Sequence, residues 1–267
     1  ARFLVQVHDK TAFILTNLGA SKYKMMSYNI ESPDLEQWHT LIPETNEVLD
    51  FFSVIGEKIV LRYLKNASHI LKVYSFHGEF LEEIPLPEKG TVNCIFSEWN
   101  GQELFFLFDS FLRAPQLYHH NLSDRKLVCL EKEENPIDPM KYALSQEWYE
   151  SKDGTKVPLF LVHKKEIIKN GNNPLLLYAY GGFGISMTPL FYFSSVLGVI
   201  PFIEDGGIFV VANIRGGGEF GEEWHKSGMR EKKQNGFDDF IAAAEYVIKE
   251  GYTSKDKIAI EGESNGG

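Results

Sequence analysis

Short apolar runs broken by turn residues fill the first half of the chain, and they recur with a period. "AFILTNLGASKYKMMSYNI", "KIVLRYLKNASHILKVYSF" and "ELFFLFDSFLRAPQLYHHNL" share one layout. Each holds an apolar β-rich run, a turn with Gly, Asn or Pro, and a second run containing a tyrosine. Those tyrosines are Tyr28, Tyr74 and Tyr118, 46 and 44 residues apart. A further strand precedes two of the segments, "VLDFFSVIG" from Val48 and "TVNCIFSEWNG" around Val92. A fourth follows each: "EQWHTLIP", "EFLEEIPLP" and "RKLVCLEKE". Four short strands in about 45 residues is the size of one propeller blade. A lone blade cannot bury both faces of its sheet, and stacking neighbours solves that. Residues 1 to about 140 therefore read as roughly three blades. Propellers typically have about 4–8, so three do not close a ring. The segment is either part of a longer protein or a generic β-sandwich, and the period favours the propeller.

From about Met140 the pattern changes. "EWYESKDGTKVPLFLVHKK" is two strands around Asp153-Gly154, a hairpin signal. "NPLLLYAYGG" (173–182) and "GIFVVANIRGGG" (207–218) are nearly continuous apolar runs, as buried central strands are. A helix follows. Asn235 or Asp238 caps it, Asp238 and Asp239 suit its positive end, and Phe237, Phe240, Ile241, Ala244, Val247 and Ile248 form its buried stripe. Gly251 stops it. "KIAIEGES" is again a strand. Strand, helix, strand with continuous apolar strands indicates an α/β domain with a parallel sheet.

Composition narrows the function classes. The 267 residues carry 37 acidic against 27 basic side chains, a net charge of −10. This argues against nucleic acid or an anionic membrane as a partner. Cys94 and Cys129 fit neither a metal spacing nor a dense disulfide framework, so a reducing compartment, the cytoplasm, is expected. "ARFLVQVHDK" does not read as a signal peptide. The longest apolar stretch, "FYFSSVLGVIPFI" (191–203), is too short to cross a bilayer and contains Pro201.

The chemistry sits at the end of the last predicted strand. Gly262-Glu263-Ser264-Asn265-Gly266 fits G-x-S-x-G, the nucleophile elbow. The strained strand-to-helix turn needs neighbours without side chains, and it pushes the serine hydroxyl out at the strand's carboxyl end. The Asn265 N–H then points toward an oxyanion. A nucleophilic serine needs a base held by a carboxylate. On this fold the order is Ser, then Asp or Glu, then His. All eight histidines precede Ser264. His225, the nearest, reads as a loop-packing residue. Gly216, Gly217 and Gly218 lack both the Lys-Ser/Thr ending of a phosphate loop and dinucleotide spacing.

Three stretches together resemble one family: "YAYGGF" (178–183), "ANIRGGGEFGEEWHKSG" (212–228) and "GESNGG" (262–267). With "SKDGTKVPLFLVHKK" and "KEGYTSKDKI" they look like the prolyl oligopeptidase family of serine peptidases. In that family a β-propeller lid sits on an α/β-hydrolase domain. The resemblance runs through the whole chain. It implies propeller blades over residues 1–143 and the first part of the catalytic domain over 144–267. It implies that Ser264 is the nucleophile and Tyr180 the hydroxyl donor of the oxyanion hole. Asn265 supplies the other donor through its N–H. Phe183 forms an aromatic wall for the proline ring and, with Asn265, makes the substrate-binding set. Arg215 and Glu219 are given structural work, as a buried or half-buried ion pair beside Gly-rich turns.

The family's Asp, His and substrate-binding Arg have no counterpart here, so the chain reads as an internal piece, inactive alone. The implied activity is a serine endopeptidase cleaving short peptides on the carboxyl side of proline. No metal, cofactor, nucleic acid or membrane is implied, and the complete enzyme is expected to be a monomer. The alternative is a non-catalytic propeller and hydrolase interaction protein. An Asp and a His encoded beyond Gly267 separate the two.

Overall fold

A computed structural model of the chain describes residues 1–31, 38–98, 100–132, 134–191 and 198–267. It divides into two compact units. One holds Ala1–Phe108, Pro115–Lys132 and Phe220–Glu222; the other holds Asp109–Ala114, Glu133–Glu219 and Glu223–Gly267.

The first unit is built on three four-stranded sheets whose strands follow chain order. The first comprises β1 (Phe3–His8), β2 (Thr11–Thr16), β3 (Lys24–Asn29) and β4 (His39–Ile42). The second comprises β5 (Val48–Ile55), β6 (Lys58–Lys65), β7 (Ser68–Ser75) and β8 (Phe80–Ile84). The third comprises β9 (Thr91–Ser97), β10 (Glu103–Ser110), β11 (Arg113–Asn121) and β12 (Lys126–Lys132). Tyr28, Tyr74 and Tyr118 each lie on the third strand of their sheet, as the repeat requires. The sequence pattern missed β1. Its Phe3, Leu4, Val5 and Val7 do not alternate regularly with polar residues, and all four are exposed.

The middle sheet separates stacked blades from a two-layer sandwich. Side chains alternate across a strand. On β6, Ile59, Leu61 and Tyr63 pack into one core with Phe13, Leu15 and Met25 of the first sheet. Val60 packs into another with Leu104, Phe106 and Tyr118 of the third. The middle sheet is thus apolar on both faces, which is why β6 reads as an almost continuous apolar run. Polar ties follow the same stacking. The Gln6 amide accepts from the Val54 N–H at 3.0 Å and donates to the Phe52 carbonyl at 3.2 Å. Arg62 grips Asp50 through two nitrogens and donates to the Val92 carbonyl at 2.6 Å.

The second unit holds one five-stranded sheet in the order β13-β14-β16-β15-β17. The strands are β13 (Tyr142–Glu150), β14 (Lys156–Lys164), β15 (Leu175–Tyr178), β16 (Ile208–Ala212) and β17 (Ile258–Glu261). Gly154, at φ 81°, turns the β13–β14 hairpin. The sheet is mixed, which corrects the expectation of a parallel one. β16, β15 and β17 are mutually parallel, while the hairpin joins antiparallel through β14 and β16. Among the described residues three α-helices accompany it: α1 (Val199–Glu204), α2 (Glu222–Lys226) and α3 (Lys233–Lys249). Of the apolar stretch 191–203, residues 192–197 lie outside the described residues, and its end forms α1. Among the described residues no helix is long and apolar enough to cross a membrane.

α3 packs its residues Ala243 and Val247 on Leu159, Leu177, Val210 and Ala212. The predicted stripe holds in part: Val247 is buried and Phe240 and Ala244 pack against the same core. The buried positions are Gly236, Asp239, Ala243 and Val247, whereas Phe237 and Ile241 are 53% and 55% exposed. Small residues face the sheet because the helix comes close. A Cβ on Gly236 would stand 3.1 Å from the Arg215 carbonyl oxygen. Neither predicted cap is used. The helix begins two residues before Asn235, whose amide donates to the Ser227 carbonyl, and Asp238 accepts from Gln234. It ends before Gly251, at φ 76°, as expected.

Candidate active site

Three parallel strands deliver three loops to one edge of the sheet. Tyr178 on β15 is level with Glu261 on β17 and with Val211 on β16. Tyr180 therefore lies two residues beyond the end of β15 and Ser264 three beyond β17, side by side at the carboxyl edge. Ligand sites of open α/β sheets lie there.

The elbow has the geometry its glycines predict. Ser264 is exposed and has φ 53°, a left-handed conformation that costs a non-glycine residue about 1–3 kcal/mol. Residues 264–266 form a single 3-10 turn in which the Gly266 N–H donates to the Glu263 carbonyl at 2.8 Å. A Cβ on Gly262 would overlap the Gly266 carbonyl, and one on Gly266 would stand 2.5 Å from the Ala179 carbonyl oxygen. Both flanking positions are thus closed to any side chain. Among the described residues the Asn265 N–H has no acceptor.

The Asn265 side chain ties the elbow to the neighbouring loop. Its amide nitrogen donates to the Tyr180 carbonyl at 2.7 Å. Its amide oxygen accepts from Lys233 Nζ at 3.3 Å, and Lys233 also donates to the Gly181 carbonyl at 3.0 Å. A Cβ on Gly182 would overlap the Asn265 amide, so glycine is required for this approach. Lys233 opens α3, and burial lowers its pKa. Sequence reasoning missed it. Nothing local marks a lysine that reaches residues 52 and 32 positions away.

Phe183 is 71% exposed and sits at φ 56°. Left-handed backbone is a true outlier for a bulky residue. The turn around it is pinned, because the Gly184 N–H donates to the Gly216 carbonyl at 3.1 Å and the Ile185 N–H to the Gly182 carbonyl at 3.0 Å. His225, expected in a loop, lies half-buried on α2. Its Nδ1 lies 2.7 Å from the Gly216 carbonyl oxygen.

The Arg215–Glu219 pair does not form. Arg215 is buried and donates from Nη2 to Asp239 at 2.6 Å, from Nε to Asp239 at 3.0 Å and from Nη1 to Asp153 at 2.6 Å. Its backbone N–H also donates to Asp239 at 2.9 Å. The guanidinium holds the Asp153 carboxyl well below the usual carboxylate range. Among the described residues Glu219 takes no cation. It accepts from the Met187 N–H at 2.8 Å and from the Asn213 amide at 3.3 Å. Burial pushes its carboxyl up to about 7, against the pull of those two donors. Asp239 reaches Arg215 from the buried face of α3, a relation the linear motif hid. Among the described residues no cluster of three or more His, Cys, Asp or Glu is placed to hold a metal.

Comparisons with known proteins agree along the chain. A model described as the N-terminal beta-propeller domain of prolyl oligopeptidase matches residues 1–133, and one described as the prolyl oligopeptidase family matches 193–267. The chain is 39% identical to a prolyl endopeptidase of Elizabethkingia miricola over 99% of its own length and 37% of the relative's. It is 38% identical to a prolyl endopeptidase of Dictyostelium discoideum over 96% of its length and 35% of the relative's. A structure from work on two prolyl endopeptidases superposes with a TM-score of 0.93 at 36% identity, over 99% of this chain and 39% of that one. Prolyl oligopeptidase B from Galerina marginata, bound to a 25mer macrocyclization substrate, gives 0.91 at 34%, over 99% and 37%. The chain spans little more than a third of the length of these relatives.

Proposed function

The chain belongs to the prolyl oligopeptidase family, and from that premise we propose that it carries the nucleophile and oxyanion hole of a serine endopeptidase. The substrates are short peptides cut on the carboxyl side of proline. The observation that carries the proposal is the left-handed Ser264 between Gly262 and Gly266, at the carboxyl edge of parallel strands. That turn costs stability and presents a hydroxyl to solvent.

In the proposed reaction Ser264 Oγ bonds to the carbonyl carbon of the residue before the scissile bond. A histidine takes its proton, steadied by a carboxylate. Both are supplied by the full-length enzyme in the order Ser, Asp, His. The carbonyl oxygen becomes an oxyanion, met by the Asn265 N–H and the Tyr180 hydroxyl. Collapse breaks the C–N bond, the histidine passes its proton to the leaving amine, and water then releases the acid from Ser264. Asn265 thus serves both catalysis and substrate binding. Phe183 offers the apolar, rigid proline ring an aromatic face. The net charge of −10 and the unpaired Cys94 and Cys129 fit a monomeric enzyme of the cytoplasm that engages neither nucleic acid nor membrane.

The test is a comparison of paired peptides with Pro or Ala before the scissile bond, using full-length wild-type and Phe183→Ala enzyme. Wild type is expected to favour Pro in kcat/KM, and Phe183→Ala to lose about 1–3 kcal/mol of that preference. Equal slowing of both peptides removes Phe183 from proline recognition. Peptide binding without cleavage favours the non-catalytic interaction protein.

A further inference from the structure

Lys233 has no carboxylate partner among the described residues; besides its oxygen acceptors, its ammonium lies 5.7 Å from the centre of the exposed Phe237 ring. Lys233 opens α3, a helix of 17 residues, and a cation there opposes the helix dipole. Burial disfavours its charge. The oxygens that its ammonium meets are neutral. Those two oxygens belong to opposite sides of the oxyanion site. One is the Gly181 carbonyl, in the turn that carries Tyr180; the other is the amide oxygen of Asn265. The same amide donates to the Tyr180 carbonyl. With its oxygen on an ammonium and its nitrogen on a carbonyl, the Asn265 amide has one orientation.

We propose that Lys233 is a positioning residue for the oxyanion hole, setting the separation between the Tyr180 turn and the Asn265 N–H. This rests on Ser264 being the nucleophile, as read above. The mechanism is geometric. Without the ammonium, the Tyr180–Gly182 turn and the elbow are joined through one amide hydrogen bond, and the two donors drift relative to the oxyanion. A misplacement of about 1 Å can cost about 100-fold in rate.

Lys233→Met and Lys233→Arg in the full-length enzyme test it, with three readouts. These are the labelling rate of Ser264 by a fluorophosphonate that contains no proline, kcat and KM on a prolyl peptide, and the thermal midpoint. Lys233→Met is expected to lower labelling and kcat about 10–100-fold. KM should stay within about threefold and the midpoint should be no lower than wild type, while Lys233→Arg restores part of the rate. Should Lys233→Met fail to fold, Lys233→Gln is read in the same way. Labelling of Lys233→Met at the wild-type rate overturns the proposal. So does a rate loss that tracks a fallen midpoint without rescue by Arg. Because the probe lacks proline, failure of the proline preference leaves this readout intact. A wild-type enzyme that does not label at Ser264 overturns the nucleophile and the role of Lys233 together.

Discussion

Asn265 donates its side-chain amide to the carbonyl oxygen of Tyr180 across 2.7 Å, joining the residue after the candidate nucleophile to the candidate hydroxyl donor. The two lie 85 positions apart in sequence. They meet because β15 and β17 are parallel neighbours whose ends are level. This hydrogen bond and the Lys233 bridge beside it therefore couple the two halves of the proposed oxyanion hole.

Tyr180→Phe in the full-length enzyme keeps the ring and removes the hydroxyl. Losing one oxyanion donor typically costs about 10²–10³ in kcat. KM and the thermal midpoint are expected to stay near wild type, as steady-state kinetics and a melting curve will show. An unchanged kcat makes Tyr180 a packing residue.

Asp239 is buried and takes three donors from Arg215. Asp239→Ala strands a buried guanidinium with Asp153 as its remaining carboxylate. Breaking a buried pair on one side costs about 3–5 kcal/mol. Urea unfolding of the variant reads that loss directly. Replacing both partners, with Arg215→Met and Asp239→Leu, is expected to recover part of it.

Glu219 gives the fold a pH dependence with a definite sign. Its folded carboxyl is pushed up to about 7, against a reference value of 4.5. Between those values the folded chain holds a proton that the unfolded chain has released, so stability falls as pH rises through that window. The full loss is about 3 kcal/mol. Glu219→Gln keeps acceptors for Met187 and Asn213 and removes the titration. Its midpoint is expected to exceed wild type at pH 8 and to match it at pH 5. Parallel pH profiles for the two proteins would refute the assignment.

The features readable in the sequence are those that local rules enforce. The elbow was legible because no side chain fits at Gly262 or Gly266. The blades were legible because β5–β7 and β10–β11 carry apolar runs at a fixed period. β1 was not, since its apolar residues do not alternate regularly and are exposed. The face of α3 is legible at Phe240, Ala244 and Val247, but Gly236 and Asp239 turn toward the sheet for reasons of close approach and charge, which an apolar stripe does not encode. The motif places Glu219 nearest Arg215, whereas the partners of Arg215 lie 24 and 62 positions away. Lys233 was invisible for the same reason: its two acceptors become neighbours only once the sheet has formed.

Covalent labelling tests Ser264 as the nucleophile. Full-length enzyme should be incubated with a fluorophosphonate at neutral pH, digested and mapped by mass spectrometry, with Ser264→Ala in parallel. One adduct is expected, on Ser264, appearing together with loss of prolyl peptidase activity, and none on the variant. A wild-type protein that cleaves after proline yet carries its adduct on another residue, or a Ser264→Ala variant that keeps its activity, would contradict it.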